Sequence, residues 1–187
     1  MRGHLVWNNS SSLMFPAADG WEMESLIAPM LALGGVSFTW DVRDPPPRTW
    51  PYRNPRYADD VMSPALSTHA QYLCIVSHEF PWTVAISTND GHPLTVMDVL
   101  EALHESLMKE VRRSEWALAA DMQKYITLKA NKDRRRADVP MRIRRVDWLG
   151  ARCMFRGLVR DSELVKKRFM PGDHIGEMWA VRFGSTH

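Results

Sequence analysis

Phe80–Leu107, FPWTVAISTNDGHPLTVMDVLEALHESL, carries the reading that decides the fold. Trp82, Val84 and Ile86 alternate with Thr83, Ala85 and Ser87, the two-residue period of a strand with one buried face. Asn89-Asp90-Gly91 breaks that strand, and Pro93 keeps His92 out of the helical region. From Thr95 the period changes. Val96, Val99, Leu100, Leu103 and Leu107 fall on one helical face. Thr95 is placed to cap this helix, with Asp98 at N3 in place of the usual Glu or Gln of a capping box. A strand, a tight turn and a capped amphipathic helix of about Val96 to Val111 thus follow one another closely. They speak to architecture and hardly at all to chemistry.

The flanking sequence extends the pattern on both sides. Val36, Phe38, Trp40 and Val42 alternate until Asp44-Pro45-Pro46-Pro47 stops them. Tyr72–Ser77 (YLCIVS) is a second apolar strand, joined to the third through His78-Glu79-Phe80-Pro81 as a hairpin or a bent continuation. Ser114 predicts the N-cap of a second helix burying Leu118, Met122, Tyr125 and Ile126, after which KANKDRRRAD reads as solvated helix end or loop. Arg142–Trp148 and Arg152–Val159 read as a hairpin turning at Leu149-Gly150. A charged excursion over Asp161–Gly176 and a closing strand at Met178–Phe183 follow. Strands, two helices, then strands is the order of an α+β domain. The expectation is a mainly antiparallel sheet of about five to six strands with two adjacent helices packed on one face. This single domain covers residues 35–187, behind an irregular, partly disordered N-terminal arm over residues 1–34.

Composition narrows the class. A chain of 187 residues supports one domain with a sizeable core. The net charge of +2 is too small a bias to imply a nucleic-acid partner. Lys129, Lys132, Arg134, Arg135, Arg136, Arg142, Arg144 and Arg145 form a basic run, but no aromatic residues interleave with it to stack on bases, so nucleic acid is not an expected partner. Cys74 and Cys153 lie in apolar runs and are expected as buried, reduced thiols. No apolar run approaches the ~20 residues that span a bilayer, and no hydrophobic leader is visible near Met1. The expected location is cytoplasmic, with the nucleus as the other possibility. Eight tryptophans and twelve methionines call for a well-filled core or an aromatic-lined cavity.

Five phrases together are similar to a domain of unknown function widespread in mushroom-forming (basidiomycete) fungi. They are FTWDVRDPP at Phe38–Pro46, FPWTVAI at Phe80–Ile86, LTVMDVLEALHESL at Leu94–Leu107, RRVDWLG at Arg144–Gly150 and MWAVRF at Met178–Phe183. The resemblance runs from about Gly35 to Phe183 and implies a small intracellular domain, with no activity to carry over. Where that family's pattern has Gly-Gly-Arg, this chain has Gly150-Ala151-Arg152.

Candidate functional residues follow from residue type and placement. No phosphate loop, CxxC pair, HExxH or GxSxG motif occurs, so no cofactor or metal is expected. The seven histidines match no metal-ligand spacing. His78-Glu79, where a loop leaves a strand, and His104, on the flank of the first helix, are the acid/base candidates if the chain is an enzyme. Asp147 and Asp41 are placed to form structural ion pairs, Asp147 with Arg144 or Arg152 and Asp41 with Arg43. Residues 43–64 join six prolines to Trp50, Tyr52 and Tyr57, with arginines between them; such a segment either wraps the surface or borders a site. Trp40, Trp50, Tyr52, Trp82 and Trp148 are the ligand-binding candidates. Two functions are therefore expected: a binding or interaction module for a small molecule or protein partner, or a cofactor-independent cyclase, isomerase or hydrolase of fungal specialised metabolism with a Trp/Met-lined pocket.

Overall fold

The computed structural model describes residues 25–35, 40–46, 61–88, 91–134, 142–169 and 177–185. Among these residues are five strands: β1 (Trp40–Asp41), β2 (Tyr72–Val76), β3 (Val84–Ser87), β4 (Met154–Val159) and β5 (Glu177–Gly184). The described helices are α1 (Val96–Met108), α2 (Arg113–Leu118), α3 (Asp121–Arg134) and α4 (Ser162–Arg168), with a 3-10 helix at Arg145–Leu149. The class is α+β. The strands form one sheet in the order β1-β4-β5-β2-β3. β2 and β3 make the antiparallel hairpin, with Leu73 opposite Ile86 and Ile75 opposite Val84.

The expectation of a mainly antiparallel sheet needs correction at its centre. β5 runs parallel to β2, with Cys74 opposite Met178 and Val76 opposite Ala180, so the sheet is mixed. Parallel neighbours need a long crossover, and here about a hundred residues, including α1 to α3, lie between the two strands.

α1 is the helix its period predicts. Thr95 Oγ1 accepts from the Asp98 N–H, and Asp98 Oδ2 accepts from the Thr95 N–H at 2.8 Å, completing the capping box. Val99, Leu100, Leu103 and Leu107 are fully buried against Leu73, Ile75, Val84, Ile86, Trp179, Val181 and Phe183. The opposite face of the sheet carries a smaller cluster of Val76, Ala180 and Leu164, the last from α4. The stretch read as a charged excursion therefore begins with a helix that covers sheet. Asp161 caps it, and Arg168 at its end donates to the carbonyls of Ser77, Phe80 and Pro81.

The second predicted helix differs most. It is two helices, capped at Arg112 rather than at Ser114, and the face expected to be buried points outward. Leu118 is 89 % exposed, Met122 69 %, Tyr125 64 % and Ile126 37 %. The buried positions of α3 are Thr127 and Asn131. Arg142–Trp148 is likewise no strand. Its second half is the 3-10 helix, in which all five residues are buried.

Residues 26–28 pair with residues 65–67, and residues 31–33 lie along β4. Met30 and Leu31 enter the core, and Leu158 exchanges backbone hydrogen bonds with Leu31 and Leu33. Gly157 makes this approach possible: it sits at a bulge with φ +123°, and a Cβ there would lie 2.6 Å from the Leu33 backbone. Trp50, Tyr52 and Tyr57 of the Pro-rich segment fall outside the described residues. Among the described residues no helix is long and apolar enough to cross a membrane.

The two leucines at the extremes of exposure test this assignment in denaturant melts. Leu103→Ala is expected to cost roughly 2–5 kcal/mol as a cavity in a close-packed core, and Leu118→Ala less than about 0.5 kcal/mol.

Candidate functional site

The 3-10 helix, α3 and the start of β4 border a cleft of about 700 Å³. Its floor is organised by Asp147, which is 2 % exposed. Arg144 acts as N-cap and Asp147 stands at N3, so the Asp147 carboxylate accepts the Arg144 N–H at 2.8 Å and winds the segment into a 3-10 turn. The same carboxylate accepts Asn131 Nδ2 at 2.9 Å, Arg134 Nε at 2.6 Å and Arg134 Nη2 at 2.8 Å, all from α3. Burial alone would raise the pKa of Asp147. The hydrogen bonds from Arg134, Asn131 and the Arg144 backbone outweigh it and hold the carboxyl below its ordinary range. The partner expected for Asp147 was Arg144 or Arg152. Arg144 supplies only its backbone N–H, and the guanidinium comes from Arg134.

The turn leaving the 3-10 helix needs Gly150. Its φ is +58°, and a Cβ there would meet Ile126 of α3 at 2.6 Å. Cys153 follows, its thiol donating to the Gly150 carbonyl at 3.1 Å. Burial pushes that thiol up to about 11, with Arg43 opposing, so it is protonated at neutral pH and a poor nucleophile. Cys74 is also free and buried.

Arg43 and Arg152 stand near one another because Val42 donates its backbone N–H to Cys153 O at 2.9 Å. Arg43 is bound through Nε and Nη2 by Asp41, as expected for that pair. Arg152 reaches Glu79 only at 3.7 Å. Lys129 and Asp133 line the α3 side, and Tyr125, Ile126, Val146, Leu149 and Ala151 supply apolar wall. The arrangement offers donors on an apolar surface; of its two lining carboxylates, Asp133 and Asp147, the second is already engaged.

The acid/base candidates are elsewhere and apart. His78 Nε2 lies 2.9 Å from Asp161, which also takes Arg182 at 2.8 Å. Glu79 accepts Ser77 Oγ at 2.5 Å. Neighbours in sequence, the two side chains thus serve different partners. His104 Nδ1 lies 3.0 Å from the Val42 carbonyl, which can only accept, so the proton sits on Nδ1. None of the three lines the cleft.

Of the aromatic candidates, Trp82 and Trp148 are brought together edge to face at 5.7 Å. Phe80 stacks on Trp82 at 4.7 Å, and the Arg145 guanidinium lies 4.6 Å from the Trp82 ring centroid. Arg145, read as part of the basic run, is 7 % exposed and paired with Glu115 of α2. Trp82 and Trp148 border a second groove of about 270 Å³ with Pro81 and Leu118. Trp40 is separate, packed on Phe155 at 5.8 Å and donating to the Asp44 carbonyl. Trp50 and Tyr52 lie outside the described residues. Sequence reasoning missed Asn131 as a site residue, because a polar residue inside a polar helix carries no periodic signal. For Arg134 the available signal was an unanswered basic run beside a buried acid.

The model of a family of unknown function (DUF6699) matches residues 38–167, well over half of the chain, and the chain belongs to that family. No curated protein and no solved structure matches it.

The depressed pKa of Asp147 sets a pH test. A carboxyl held below its unfolded value of about 3.9 contributes stability above that pH and loses it as pH falls through the folded pKa. Asp147→Asn is expected to be less stable than wild type by roughly 2–4 kcal/mol at pH 7. The gap should narrow towards zero well below about pH 4, where wild-type Asp147 is also neutral. Urea melts across pH measure it; a gap constant with pH would contradict the assignment.

Proposed function

We propose that this member of the DUF6699 family is a binding module whose cleft between α3 and the 3-10 helix holds a small molecule. The observation that carries the reading is a concavity of about 700 Å³ with an apolar wall and several outward-facing donors. That volume suits a small-molecule site, and a few placed polar groups on an apolar lining are the usual composition of one. Arg134 and Asp147 answer each other's charge, and Arg43 is answered by Asp41. Among the described residues Arg152 has Glu79 at 3.7 Å, and it and Lys129 stand against Asp133 in the lining. The Nη1 group of Arg43 makes no bond among the described residues. Such a lining favours a ligand with an apolar body and an anionic or carbonyl-rich end.

The enzymatic alternative draws less support from the geometry. His78, Glu79 and His104 are held by separate neighbours and do not line the cleft, Glu79 touching it only through Arg152 at 3.7 Å, and the Cys153 thiol on its wall is protonated. The buried reduced thiols favour a cytoplasmic setting, and the five phrases shared with the mushroom-forming fungal domain favour a fungal one.

Anilinonaphthalene sulfonate, an aromatic body with a sulfonate end, is a direct probe. Native protein is expected to bind it saturably at one site. Arg152→Ala should weaken that binding about tenfold, close to the worth of one charge-assisted hydrogen bond. Ala151→Trp, which fills the mouth, should abolish it. Binding unaltered in both folded variants would place the ligand site elsewhere.

A further inference from the structure

The outward face of α3 exposes large apolar side chains. Thr127 and Asn131 mark its inner side. Opposite them Asp121, Met122, Tyr125, Leu128, Lys129 and Lys132 follow at the three- and four-residue steps of one helical face. Met122 and Tyr125 are 69 % and 64 % exposed. Exposed large side chains in a contiguous strip mark an interaction surface, whereas scattered ones do not.

The charges decide which partner fits. On this face α3 begins with Asp121 and ends with Lys129 and Lys132; Arg134, the other basic residue of its last turn, is turned inward to Asp147. Asp121 is fully exposed and touched only loosely by Lys124, at 3.7 Å. We infer that the strip docks a second copy of this chain, α3 against α3, antiparallel about a two-fold axis at Tyr125. Four residues before the axis, Asp121 meets the partner's Lys129, four residues after it. Three residues before, Met122 meets the partner's Leu128, and Tyr125 meets its own counterpart. A parallel pairing would set Asp121 on the partner's Asp121 and lysine on lysine, which repel. An unrelated partner would not require the acidic-to-basic order along the helix to match its own reverse. A two-fold pair requires it, and two-fold dimers are the commonest assembly of soluble proteins.

Size sets the strength. Fourteen residues of helix are about 21 Å long. Two such faces bury less than the ~1,600 Å² of a standard stable interface, so the dimer is weak, with a dissociation constant in the micromolar range. Tyr125 and Lys129 also line the cleft, so a cleft ligand and the second copy share those two side chains, whereas Met122 is not part of the cleft lining.

Sedimentation equilibrium of the full chain, followed to about 500 µM, tests it. The wild type is expected to move from 21.5 kDa towards twice that mass. Met122→Glu should stay monomeric with an unchanged circular dichroism spectrum and melting temperature, since its side chain is exposed. Asp121→Lys should weaken association at least about tenfold, and adding Lys129→Asp should restore it. Wild type remaining at 21.5 kDa overturns the inference and leaves the strip to a different protein. A dimer that Met122→Glu leaves intact, or charge reversal without rescue, also overturns it.

Discussion

One buried carboxylate holds the second half of this domain together. Asp147 accepts four N–H donors, two from Arg134, one from Asn131 and one from the Arg144 backbone. A carboxylate at that depth without partners would cost several kcal/mol, so the donors must arrive together. Two of the three donor residues sit on α3, which therefore has one position in which the charge is satisfied. This explains a helix with so little apolar burial of its own. Its buried residues are Thr127, bonded back to the Gln123 carbonyl, and Asn131, shared between Asp147 and the Arg142 carbonyl. Polar satisfaction takes the place of an apolar stripe, and the apolar residues of α3 are left on its outside.

The same short turn also serves the core. Asp147 fixes the 3-10 helix, which carries Val146, Trp148 and Leu149 inward and Arg145 onto Trp82. Arg145 reaches Glu115, whose own carboxylate accepts the Arg112 N–H. Burial opposes ionisation of Glu115, but its bonds from Arg145 and Arg112 prevail and lower its pKa. Two acid–arginine locks thus attach α2 and α3 to the edge of an apolar core. Between α3 and the strand that follows the turn they leave the cleft open.

The parts of this fold legible in the sequence are those held by apolar periodicity. The alternation of Trp82, Val84 and Ile86 marks β3, and the Val99, Leu100 and Leu103 face marks α1, because burial of those side chains is what holds them. The parts that were not legible are held by polar bonds. RIRRVDW alternates like a strand, yet a carboxylate at N3 turned back on the Arg144 N–H makes a 3-10 helix with every residue buried. Hydropathy reads Thr127 and Asn131 as outward-facing and so inverts α3. The parallel pairing of β2 with β5 depends on partners about a hundred residues apart, which neither strand encodes. In the site, Asp147 was recognised as an acid needing a cation, but which arginine answers it follows from where α3 docks.

Hydrogen exchange of the Asp147→Asn variant at neutral pH, read by mass spectrometry, tests the lock most directly. If Asp147 positions α3, amides over residues 124–134 should exchange at least about tenfold faster than in wild type, while those of β2 and β5 keep their protection. Unchanged protection across α3, or loosening shared equally by the central strands, would contradict the claim that this carboxylate holds the helix and shapes the cleft.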